Sequence, residues 1–168
     1  MPYIGEALLR TSPVLWMTTI YDVPADKLID LAAKRLEQVS EIKPPEWAAY
    51  AKTGIHREKP PTRKDWWHVR SAALLRKVYL NGPIGTERLS AAFGGNRDGG
   101  SAPKHPKRGS RNVVRKSLQQ LKAAGLVADE PKNRGKIITP KGQAFLDNAA
   151  HEVMKELAAK NPALGKYY

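Results

Sequence analysis

"SRNVVRKSLQQLKAAGLVADEPKNRGKIITP", residues 110–140, runs a helix, a stop, a short hairpin and a second helix start together without a gap. At helical spacing Val114, Ser117, Leu118, Leu121 and Ala124 share one face. Arg111, Asn112, Arg115, Lys116, Gln119 and Lys122 share the other, so one side packs and the opposite side is cationic or amide. Ser110 stands at the N-cap position and Gly125 just past the end. "LVADEPKNRGKIIT" then reads as two short strands around a Pro/Asn/Gly turn, with Lys132, Arg134 and Lys136 at its tip. Thr139 and Pro140 open a last helix whose Phe145, Leu146, Ala149, Val153 and Leu157 face a core, ending near Asn161 and Pro162.

Upstream, "DWWHVRSAALLRKVYLNG" predicts a central helix with Asp65 as N-cap and Gly82 as stop; Trp67, Val69, Ala73, Leu74, Val78 and Leu80 supply its apolar side. Arg63, Arg70 and Lys77 would form one stripe if that helix extends back to Arg63. "PIGTERLSAAFGG" reads as a short helix closed by Gly94 and Gly95. Nearer the start, Pro24 and Asp26 open an amphipathic helix carried by Leu28, Leu31, Ala32, Leu36 and Val39. "IKPPEWAAYAKTG" gives a turn or two of helix up to Gly54, and "IHREKPPTRK" an extended basic connection. The order helix, short helix, amphipathic helix, hairpin, helix predicts a mainly α, winged-helix-like domain with a small β-hairpin wing and an extra N-terminal helix. Residues 17–160 form this single domain, 1–16 an N-terminal extension open to being a mobile tail, and 161–168 a C-terminal tail.

Net charge is +13, and its distribution is more informative than its size. Residues 56–125 hold 16 basic and 4 acidic residues, whereas residues 1–55 hold 6 and 7. Such concentration points to nucleic acid rather than to a merely solubilising surface. With no Cys there is no disulfide and no Cys-based metal site, which fits a reducing cytoplasm; no apolar run is long enough to cross a membrane. His56, His68, His105 and His151 make no i, i+4 pair, and no phosphate-binding GxxxxGK[ST] loop is present. "GGNRDGG" follows a helix rather than a strand, so it is a poor nucleotide fingerprint. No enzyme, metal, cofactor or small-molecule substrate is expected.

A winged helix alone would suggest a DNA-binding regulator, reading G and A edges with Arg111 and Asn112. The spacing resists this, because a DNA-reading helix-turn-helix uses a turn of about 3–4 residues. Here Gly94 to Gly109 inserts 16 residues. The stretch reads as a loose cationic loop that orders on phosphate through Arg97, Lys104, Lys107 and Arg108. RNA is the better target, since it is recognised by shape, phosphates and stacking on unpaired bases. Trp66, Trp67, His68 and His105 lie among the cations as stacking candidates, although at least one of the paired tryptophans must turn inward.

"EIKPPEWAAYAKTG", "DWWHVRSAALLRKVYLNGPIGTERL", "KRGS", "LQQLKAAGLV" and "GKIITPKGQAFLD", in this order, resemble the e-type small-subunit ribosomal protein nineteen family of archaea and eukaryotes. The likeness covers about residues 17–160, and "IKPPEWAAY" with the long last helix looks archaeal. It implies a winged-helix-like domain bound to rRNA in the head of the small subunit, beside neighbouring ribosomal proteins, with a part in subunit maturation and no catalysis. It places the family's basic surface on Arg63, Arg70, Lys77, Lys107, Arg108, Gly109, Ser110 and Arg115, and matches His105 to a histidine common in the family. "NRDGG", with Arg97 as its only cation, and Pro106, where the family has an aromatic, depart from the pattern. Lys64, Arg111, Lys116, Lys122, Arg134 and Lys136 complete the expected rRNA surface.

Overall fold

The computed structural model describes residues 18–132, 134–161 and 164. The extension 1–16 therefore lies outside the described residues, as does most of the tail. Five helices and two separate two-stranded antiparallel hairpins follow one another: α1 (Ala25–Leu36), α2 (Trp66–Asn81), α3 (Thr86–Ala92), β1 (Gly95–Gly99), β2 (Ala102–Lys107), α4 (Arg111–Ala123), β3 (Val127–Asp129), β4 (Lys136–Ile138) and α5 (Pro140–Lys160). A single 3-10 turn, Glu46–Ala49, stands between α1 and α2.

Helix α2 runs through the core. Helices α1 and α5 pack on it and on each other, while α4 packs on α2 together with α3. Leu74, Leu75 and Val78 from α2 are fully buried with Leu28 and Leu36 from α1, Leu118 and Leu121 from α4, and Leu146 from α5. Each such side chain contributes roughly 1.5–3 kcal/mol relative to exposure. The predicted faces of α4 are as read: Val114, Ser117, Leu118, Leu121 and Ala124 are buried and the cationic residues are exposed, with Val113, not assigned from the sequence, buried as well. Ser110 Oγ accepts a hydrogen bond from the Val113 amide at 3.4 Å, and Thr139 Oγ1 accepts one from the Gly142 amide at 3.1 Å, so both predicted caps form.

Ile84, between α2 and α3, exchanges two backbone hydrogen bonds with Lys136 of β4, at 2.9 and 3.1 Å. This closes the wing onto the body and completes the winged-helix order of helix, bridge, short helix, long helix, wing. Gly135 makes the closure possible: it sits at φ 137°, and a Cβ there would lie 2.4 Å from the Ile84 carbonyl carbon.

Three expectations are corrected. Residues 95–107 are not a loose loop but a β-hairpin, with Gly95 opposite Lys107, Asn96 opposite Pro106 and Arg97 opposite His105. Its turn is braced by Asp98 Oδ1, which accepts from the Gly100 amide at 3.0 Å. Its base is fixed by Gly109 N donating to Ser90 O at 2.9 Å and Ser110 N donating to Thr53 O at 2.9 Å. Helix α2 starts at Trp66 rather than reaching Arg63, and Asp65 occupies the N-cap without a side-chain capping bond because its carboxylate is engaged by Arg63. Trp67 is fully buried and has no face to offer a base: its Nε1 donates to Gln120 Oε1 at 2.8 Å, and its ring meets Trp47 and Trp66 edge-on at 5.7 and 5.4 Å.

Candidate nucleic-acid interface

The outer face of α4 carries four basic residues and no acidic one, whereas α5 carries three of each. Arg111 stands in the first turn of α4, where the helix dipole favours an anion and disfavours a cation. That placement costs stability unless an anion meets it. Arg111, Arg115 and Lys116 are exposed, and no described carboxylate pairs with them.

The β1–β2 hairpin projects from the start of α4 and separates two grooves. The first, about 940 Å³, lies between the 56–63 connection, α2 and the hairpin. Arg70 reaches into it from α2 with its guanidinium 4.4 Å from the centre of the Phe93 ring. Burial, and then the like charge of Arg57, push the Arg70 pKa down, so these two arginines crowd one another in this groove at an electrostatic cost. Burial first, then Arg57 and Arg70, also hold His56 below the ordinary histidine value, and its Nδ1 is buried without a hydrogen-bond partner. Trp66 lines the same groove, half-buried, with Asn96, Asp98 and Lys104 from one side of the hairpin. The second groove, about 880 Å³, takes Arg97 and Lys107 from the hairpin, Arg108 from its base and Arg111 from α4.

Several expected contact residues are held by carboxylates. Arg63 binds Asp65 at 2.7 Å and Asp30 at 3.0 Å, so its charge is spent on joining the connection to α1. Lys104 reaches Asp98 across the hairpin at 3.4 Å, and Arg108 pairs with Glu87 of α3. Asp129 of the wing takes both Lys122, at 2.6 Å, and Lys136; these two bonds hold its pKa down at about 2, so the clamp stays ionised at neutral pH. Exposed pairs of this kind are worth about 0–1 kcal/mol and yield to a polyanion with little loss. Lys64, His105 and Arg134 are exposed, and Arg134 sits at the wing tip. Lys77 is half-buried on α2 and lines neither groove, so the stripe from Arg63 to Lys77 is not continuous. Ser110 serves the site through the cap of α4.

Sequence reading missed Arg57 and Lys52 as groove residues. The basic, Pro-rich "IHREKPPTRK" was a signal for the first, but only the fold shows which of its cations face the hairpin.

Comparison with known proteins gives matches along most of the chain. The model of the family described as ribosomal protein S19e matches residues 19–156. Small ribosomal subunit protein eS19 of Aeropyrum pernix is 47% identical over 153 residues, covering 90% of this chain and 99% of the relative. The eS19 protein of Thermoplasma acidophilum is 42% identical over 151 residues with the same coverage, and eS19G of Ascaris suum is 34% identical over 136 residues, 81% of this chain and 92% of the relative. The match runs through α1, both hairpins, the cationic helix and most of α5, with archaeal relatives prominent. The chain belongs to the ribosomal protein S19e family, whose role is structural rather than catalytic.

Proposed function

We propose that this protein is a constituent of the small subunit of the cytoplasmic ribosome that holds folded rRNA in the subunit head, beside neighbouring ribosomal proteins. The names of its relatives support the subunit. The observation that carries rRNA binding is the acid-free outer face of α4, with Arg111 set against its own helix dipole and running into the cationic hairpin. Phosphates on that face offset the dipole cost, and phosphates in the first groove would offset the crowding of Arg57 with Arg70. The hairpin fits an irregular RNA surface: it is short, entirely exposed along β2, and anchored only at its base. Trp66 and His105 supply flat groups at the groove and on the hairpin for stacking. Clamping an RNA junction in this way gives a role in small-subunit maturation, because a junction held rigid presents its neighbours' binding sites.

Sedimentation tests this directly. The tagged protein is expected to travel with small subunits and to stay there through a wash in moderate salt. Recovery at the top of the gradient, free of subunits, would count against the proposal.

A further inference from the structure

We propose that the second groove is a seat for a single unpaired nucleotide, with its base on Ile55 and its phosphate held by Arg111 and Lys107. This rests on the RNA-binding reading above and names what that surface takes. Ile55 is 63% exposed, one of only three large apolar side chains so exposed among the described residues. It lies inside a groove otherwise rimmed by Lys52, Arg97, Lys107 and Arg111, to which no carboxylate contributes. An isoleucine left mostly in water among these cations forgoes about 25 cal/mol for each Å² of apolar surface it exposes.

Its presentation is built rather than accidental. Gly54 pairs with Gly109 in an isolated bridge, and the Ser110 amide donates to Thr53 O at 2.9 Å. The Arg57 amide donates to Gly54 O at 3.2 Å, closing a turn over Ile55 and His56. That turn sends His56 inward beneath Gly95 and leaves Ile55 outward. Pro106 lines the same groove and widens the apolar ledge. An apolar ledge beside Lys52, Arg97, Lys107 and Arg111, none of which has an ion-pair partner among the described residues, matches a nucleotide, which carries a flat apolar face and an anionic phosphate a few ångströms apart. A duplex presents phosphates without a free base face, so it would satisfy the cations and leave Ile55 wet.

The test uses the full chain with two RNAs of equal length, a perfect duplex and the same duplex carrying one bulged 2-aminopurine. The bulged RNA is expected to bind about fivefold tighter, the low end of the range for base stacking since Ile55 is aliphatic. The 2-aminopurine fluorescence should rise as the base leaves its neighbours for a side chain that does not quench it. Ile55→Ser should abolish both the preference and the fluorescence rise while leaving duplex affinity and thermal stability unchanged, and Ile55→Val should keep both. Arg111→Ala should weaken binding of both RNAs. Equal affinity of the unaltered protein for the two RNAs, or a preference that survives Ile55→Ser, overturns the seat alone. Failure to bind either RNA overturns the RNA-binding reading and the seat with it.

Discussion

Replacing Arg111 and Arg115 together by Ala lowers affinity for small-subunit rRNA by about thirtyfold, near 1 kcal/mol for each lost charged contact. The slope of log affinity against log salt becomes shallower by roughly 1.5, since each phosphate contact accounts for about 0.7–0.9. Thermal stability hardly changes. Both side chains are exposed, no described carboxylate pairs with them, and Arg111 opposes the dipole of α4, so its removal relieves a small cost. Filter binding across a salt series, with a melting curve on the same preparation, separates the two effects. A large fall in melting temperature would mean that this face packs rather than binds.

Trp67→Ala has the opposite signature. It empties a fully buried indole site, removes the edge contacts to Trp47 and Trp66, and strips Gln120 Oε1 of its 2.8 Å donor. The cost is about 3–5 kcal/mol, with a further penalty for the orphaned amide oxygen, and a melting temperature lower by roughly 10–20 °C. Gln120 also donates to Lys43 O at 2.6 Å, so the damage reaches the segment after α1. Denaturant unfolding measures this. A shift below about 1 kcal/mol would show that the indole is not the keystone between α2 and α4.

The contrast between these residues shows what was legible from sequence. Helix α4 could be read because its buried and exposed residues follow one 3.6-residue period, and its cap and stop are ordinary ones, Ser110 and Gly125. The wing could be read because a Pro/Asn/Gly turn motif separates two short segments that carry Val127 and Ile137–Ile138. The β1–β2 hairpin could not. Its strands, "GNRDG" and "APKHPK", are made of residues depleted from sheets, and β2 is exposed throughout, so no alternation of apolar and polar residues marks them. Prolines 103 and 106 argued further against a strand, yet both occupy a two-stranded ribbon in which each strand has a free edge and a missing amide is tolerated. What holds this hairpin is backbone pairing and an anchored base, and both are long-range properties.

The same distinction governs the site. The cations of α4 follow one helical period and are exposed where that period puts them. Arg63, by contrast, sits in a string of basic residues, and only the fold brings Asp30 of α1, 33 positions earlier, against it. Trp66 and Trp67 are adjacent and chemically alike; a rotation of one residue on α2 sends the second into the core and leaves the first beside Arg70.

The most direct test of the central claim, that the acid-free face of α4 and its hairpin bind rRNA through phosphates, is the salt dependence of affinity for small-subunit rRNA. If Arg111, Arg115 and Lys116 of α4 and Lys52, Arg97 and Lys107 of the second groove each meet one phosphate, the log–log slope between low and physiological salt is about −4 to −5. A slope near zero, with affinity unaltered as salt rises, would contradict it.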